Sequence, residues 1–121
     1  MSYKEKLPED CPPPDANAVN GKTFYRLGHS SSIVEKDFFS HRKLFPNKKF
    51  NTTECIACSL SVFSEKFRCD NLKKLPAHKK KVVFSVELFP KDGLIKQTGR
   101  YKEHHSWWMS TLFNIESSKV L

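Results

Sequence analysis

The stretch VVFSVEL (82–88) alternates with a period of two. Val82, Phe84, Val86 and Leu88 fall on one side of an extended chain, and Ser85 and Glu87 on the other. An amphipathic helix cannot keep that pattern on one face, so this segment has to pair into a sheet with one side buried. CIACSLSVF (55–63) repeats the signal. Ile56, Cys58, Leu60 and Val62 form the apolar side, while Cys55, Ala57, Ser59, Ser61 and Phe63 form the other. Most of that second set is small, which lets another group come close. KTFYRL (22–27) is rich in β-formers and reads as the first strand.

Helical spacing appears between the strands. Val34, Phe38 and Phe45 recur through IVEKDFFSHRKLF, with a capping box from Ser32 to Glu35 and a stop at Pro46. SEKFRCDNLKKL (64–75) reads as a short helix capped by Ser64 and ended before Pro76. Asp92-Gly93 marks a hairpin turn, LIKQTG a further strand, and TLFNIE and KVL closing strands. The expected fold is α+β: a small, mostly antiparallel sheet body with two short helices. Residues 1–20, with three consecutive prolines, read as an extended or flexible arm, and 21–121 as a single domain.

The chain has 121 residues and a formal charge of +8. Lys4 and Lys6 against Glu5, Glu9, Asp10 and Asp15 leave the arm at −2, so the domain carries +10. Such a body attracts polyanions: a nucleotide, a nucleic acid or an acidic protein. No apolar run approaches the roughly 18 residues of a membrane span. The charged N-terminus is unlike a secretory signal, so the expected setting is cytoplasmic. There the four cysteines read as free thiols, and a lone C-x-x-C at Cys55 and Cys58 does not make a zinc site.

RYKEHHSWWMS (100–110) concentrates the chemistry. In an extended segment Trp107 and Trp108 point to opposite sides, one into the core and one outward as a stacking wall. Glu103, His104 and His105 beside them are the acid–base candidates. Arg26, next to Tyr25 on the first strand, offers a planar fork to a phosphate, with Glu87 as an alternative partner. Ser59 and Ser61 suit ribose hydroxyls. Lys73, Lys74, Lys79, Lys80 and Lys81, with Lys66 and Arg68, form a basic set able to follow phosphates. These assignments require the distant segments to line one hollow.

The order of elements, from Tyr25-Arg26 through SLSVF to the polar–aromatic segment, resembles the plan of ADP-ribosyltransferase-like domains. The DGLIKQTGRYKEHHSWW region is somewhat similar to the RNA 2′-phosphotransferase branch. The resemblance implies NAD as ligand, with Arg26 at phosphate or ribose and Ser59 and Ser61 beside the nicotinamide. It lacks the E-x-E pattern of that superfamily. The YRL…LSVF…HHSWW layout also resembles small bacterial proteins from which no activity carries over. Two other functions compete: a non-catalytic nucleic-acid module using the lysines and Trp stacking, and an interaction accessory of a bacterial defence or toxin system.

Overall fold

Six strands form one antiparallel sheet in the computed structural model, which describes residues 1–121. They are β1 (Lys22–Leu27), β2 (Leu60–Phe63), β3 (Val83–Leu88), β4 (Gly93–Gln97), β5 (His104–Met109) and β6 (Lys119–Val120). Their order across the sheet is β4-β5-β2-β1-β3-β6. Three short helices complete an α+β protein: α1 (His41–Leu44), α2 (Glu54–Ala57) and α3 (Lys66–Lys73). No helix is long and apolar enough to cross a membrane.

The period-two pattern places the core. Leu60 lies opposite Trp107, Val62 opposite His105, and Ile95 opposite Trp107, so these side chains share one face. Phe38 and Phe113, both outside the strands, cover the core. Phe113 meets Trp107 edge-on at 4.8 Å, and Phe38 meets Phe84 at 5.4 Å. Burying each such side chain contributes about 1.5–3 kcal/mol before chain entropy is set against it.

Several expected elements are shorter than the sequence pattern suggests. The helix expected through 33–45 is a single 3-10 turn, Glu35–Phe38, followed by the one-turn α1. The break has two causes. The buried Asp37 carboxylate accepts the amides of His29 and Val34, and Ser40 starts a new turn by accepting from the Lys43 amide. Val34 and Phe45 are consequently exposed rather than core. The strand expected over 55–63 keeps only its second half, because Thr53 accepts the Ile56 amide and winds 54–57 into α2. Asp92-Gly93 does not close a hairpin. It starts β4, which pairs with β5 at the opposite end of the sheet from β3. Of the closing segments only Lys119–Val120 is strand.

The arm is strapped to the body. The Lys4 amide donates to Met109 O at 2.9 Å, and Asn17 pairs both ways with Ile95 along the free edge of β4. The Glu5 carboxylate takes the Ser40 amide and hydroxyl. Cys11 and Cys55 form a disulfide, in place of the free thiols expected at these positions. Cys58 and Cys69 remain free and buried, and burial pushes their thiols up to about 11 and about 12.

The sheet is nearly divided in two. β1 pairs with β3 along its whole length but meets β2 only at Tyr25↔Phe63. One half is β4-β5-β2 and the other β1-β3-β6.

Gly93 holds the β4 end of the first half. Its φ is +124°, and an added Cβ would lie 2.1 Å from Trp108 O. Gly93→Ala is expected to cost about 2 kcal/mol or more, read as a fall in the urea midpoint. An unchanged midpoint would contradict this packing.

Candidate functional site: a buried guanidinium at the sheet break

Arg26 enters the break. Its Nε donates to Asp37 O at 2.8 Å and its Nη1 to Ser61 O at 2.7 Å. The residue is only 9% exposed. Burial lowers the guanidinium pKa to about 10, partly countered by Asp37, so it stays cationic at neutral pH. Its two bonds go to backbone carbonyls, and no carboxylate comes within the 4.0 Å of an ion pair. The Asp37 carboxylate is already turned to the His29 and Val34 amides. Nη2 has no protein acceptor. Nη2 is not shut off from solvent, and it is the position from which the guanidinium can meet an anion from outside the fold.

The surroundings also suit an anion. His29 Nε2 lies 3.9 Å from Asp37 Oδ1. Burial lowers the His29 pKa, Asp37 raises it, and Arg26, Lys81 and Lys36 lower it further. Burial also lowers His41, followed by the charges of Arg26 and Lys48. Arg26 thus bears on both histidines, with Lys81 and Lys36 near His29 and Lys48 near His41. The sequence reading singled out Arg26 but missed Asp37, His29 and His41. His29 follows Arg26 by three residues in LGHSSS, the one signal available for it.

A second polar centre lies on the other face of the sheet. His104 Nδ1 is 2.9 Å from Thr98 O, which can only accept, so Nδ1 carries the hydrogen. Nε2 is then left to accept from the Ser61 hydroxyl at 3.1 Å. Thr98 Oγ1 links onward to Ser106 Oγ at 2.8 Å. Burial, first among its causes, lowers the His104 pKa and keeps the ring neutral at pH 7. A serine hydroxyl facing a neutral, oriented imidazole has the geometry of a hydroxyl–base pair. Phe63 packs edge-on against His104 at 5.4 Å, and Tyr25 joins the same face through its pairing with Phe63.

The remaining expected site residues are dispersed. Trp107 and Trp108 are both sealed, at 0% and 1% exposure, so neither offers a stacking wall. They do point to opposite faces, but Asp92 O accepts one indole N–H and Cys55 O, from α2, the other. The second side, expected open, is thus covered. Ser59 lies before β2, and its hydroxyl donates to Ile56 O, which separates it from Ser61. Glu103 is buried and bound to Arg68 at 2.7 Å, so its carboxylate is already engaged. His105 lies on the face opposite His104, against Phe24 at 5.3 Å. Arg26 is on the central strand and does not pair with Glu87. Lys73, Lys74 and Lys79 border an open hollow with Asp70 and Pro76, and Lys80 and Lys81 follow it in the chain. The single hollow that the sequence reading required is replaced by two centres, one on each face.

Compared with known protein families, curated proteins and solved structures, the chain matches none.

The lowered histidines set a pH dependence. In the unfolded chain they bind protons near pH 6.5, whereas in the fold they do so only at lower pH. Their stabilising effect is complete above that value and is lost as pH falls toward the folded values. Urea midpoints should drop between about pH 7.5 and about pH 5.5, and His104→Gln should flatten the drop. An identical slope in the variant would remove His104 from this account.

Proposed function

We propose that this protein binds a phosphate-bearing nucleotide of the NAD class, with a phosphate oxygen at Arg26 Nη2 and the His29–His41 corner around it. The observation that carries the reading is the buried guanidinium with no carboxylate partner, set where β1 and β2 part. A phosphate supplies the missing counter-charge and matches the donor fork. NAD as the particular nucleotide comes from the element-order resemblance alone, since the Ser61 side chain expected beside it lies on the face opposite Arg26. Ser61 and His104 lie on the opposite face, so they are assigned no contact with the same phosphate. The Cys11–Cys55 disulfide favours an oxidising setting over the cytoplasmic one expected from the sequence.

A second reading draws on segment 39–50. Lys43 lies 4.0 Å from the Phe39 ring centre, Arg42 4.8 Å from that of Phe50, and Lys48 5.4 Å from that of Phe45. Phe45 is half exposed. Cations interleaved with aromatic rings suit a single-stranded nucleic acid, and the lysines after α3 would extend its path. This replaces Trp stacking as the aromatic part of the nucleic-acid module.

NAD and ADP-ribose titrations should raise the melting temperature and perturb the His29 and His41 NMR signals. Arg26→Ala should abolish the response. Because Arg26 also braces the fold, the exposed pair His29→Ala/His41→Ala should weaken binding about tenfold with the fold retained. Full binding by both variants would overturn the reading. A labelled oligonucleotide whose affinity falls steeply with salt, without any mononucleotide response, would favour the second.

A further inference from the structure

The disulfide and the C-x-x-C pair share a residue. Cys55 is bonded to Cys11 on the arm, and Cys58 stands three residues on as a free thiol. The arm is otherwise held at two places. Residues 2–5 bond to Met109, Thr111 and Ser40, and residues 15–17 to Ile95 and Lys96. From Lys6 to Pro14 no hydrogen bond or ion pair reaches the body, so the sulfur bridge is the one covalent or polar tether of that stretch.

Cys55 is the fixed member. Its carbonyl accepts the buried Trp108 indole N–H at 2.9 Å, which pins α2 to the body whatever the Cys55 sulfur is bonded to. Cys58, 8% exposed, closes α2, and its thiol donates to Glu54 Oε2 on the same turn at 3.5 Å. Side chains three apart on a helix lie on one side, with about 5–6 Å between Cβ atoms, against about 3.5–4.5 Å in a disulfide. α2 is one turn long and leads into a tight turn in which the Ser59 amide donates to Ile56 O at 3.0 Å. Residues 51–54 before it are exposed, so closing that difference disturbs little.

We propose a thiol–disulfide switch at Cys55, whose sulfur pairs with Cys11 when the arm is closed and with Cys58 when it is open. The Cys58 thiolate attacks Cys55 Sγ, and the Cys11–Cys55 bond breaks as the Cys55–Cys58 bond forms. Cys11 leaves as a thiolate and takes up the proton that Cys58 gave up. One disulfide is present before and after, so the step consumes no oxidant or reductant. Burial, and then Glu54, push the Cys58 thiol up to about 11, so few molecules carry the thiolate. The closed form therefore persists until a small dithiol attacks the half-buried bridge at Cys55 and releases Cys11. Cys58 then displaces the dithiol, which is set free unchanged. Opening frees 6–14, with Glu9, Asp10 and the three consecutive prolines, while the anchors on either side stay. The switch needs no ligand at Arg26 and is independent of nucleotide binding.

The test uses the full chain in a dithiol–disulfide buffer, with thiols alkylated before unfolding and cross-links mapped on peptides. The starting protein should hold Cys11–Cys55. Incubation should yield Cys55–Cys58 with Cys11 alkylated. Proteolysis after Lys6 and Glu9 should then speed up about tenfold or more, since cleavage follows the open population. Cys11→Ser should form Cys55–Cys58 on mild oxidation and show the fast cleavage, whereas Cys58→Ser should keep Cys11–Cys55 and the slow cleavage. Cys69, 0% exposed in α3, should stay unalkylated throughout, which separates opening of the arm from unfolding of the body. Four outcomes would overturn the inference: Cys11 and Cys55 are free in the oxidised starting protein, Cys55 and Cys58 stay unlinked in oxidised Cys11→Ser, the two cross-linked forms are cleaved equally, or Cys69 reacts together with Cys11.

Discussion

Arg26 joins what the strand pairing leaves apart. β1 and β2 touch at one register pair, and the guanidinium bridges the two halves by bonding Ser61 O on β2 while gripping Asp37 O in the following loop. A neutral side chain of the same length could fill the space. It could not offer several donors to carbonyls that would otherwise be buried without partners. Asp37 extends the brace by tying down the His29 and Val34 amides. The loop after β1 is therefore built around a cation that has backbone oxygens for company and no carboxylate within ion-pair distance. The same feature serves structure and, in the proposed reading, ligand capture.

Strand alternation then decides which residues can cooperate. Adjacent histidines on an extended strand must face opposite ways, so His104 joins Ser61 while His105 packs on Phe24. The tautomer of His104 follows from a backbone carbonyl, and its neutrality from burial. The two indoles obey the same rule, yet both are buried, because the face opposite the core is also covered where α2 supplies Cys55 O. A sheet with only one covered face would have left one indole open.

Charge is distributed by place rather than by total. The excess of +8 gathers around Arg26, along 39–50 and after α3, whereas the cavity lined by Glu87, Lys91, Asp92 and Lys119 is balanced. A chain with uniform positive surface would attract any polyanion indiscriminately. Here the cationic surroundings of Arg26 and the charge-balanced cavity beside Asp92 lie apart.

The sequence by itself determined the strands and the class. The period-two runs at 55–63 and 82–88 and the β-formers of 22–27 marked three strands, the first run holding only over 60–63, and the basic excess marked the chain for anionic partners. It also marked Arg26, because arginine is uncommon on a strand, but grouped it with Ser59, Ser61, Glu103, His104, His105 and Trp107 in one site. Tertiary structure decided how these residues group. Pairing register put Ser61 with His104 and set Arg26 on the other side. A buried carboxylate at Asp37 and a cap at Thr53 overrode the longer helix and strand that the local patterns favoured. Cys11–Cys55 and the sealing of Trp108 both arise from contacts between segments distant in the chain. Local periodicity carries no record of such contacts, since it specifies which way a side chain points but not what it meets.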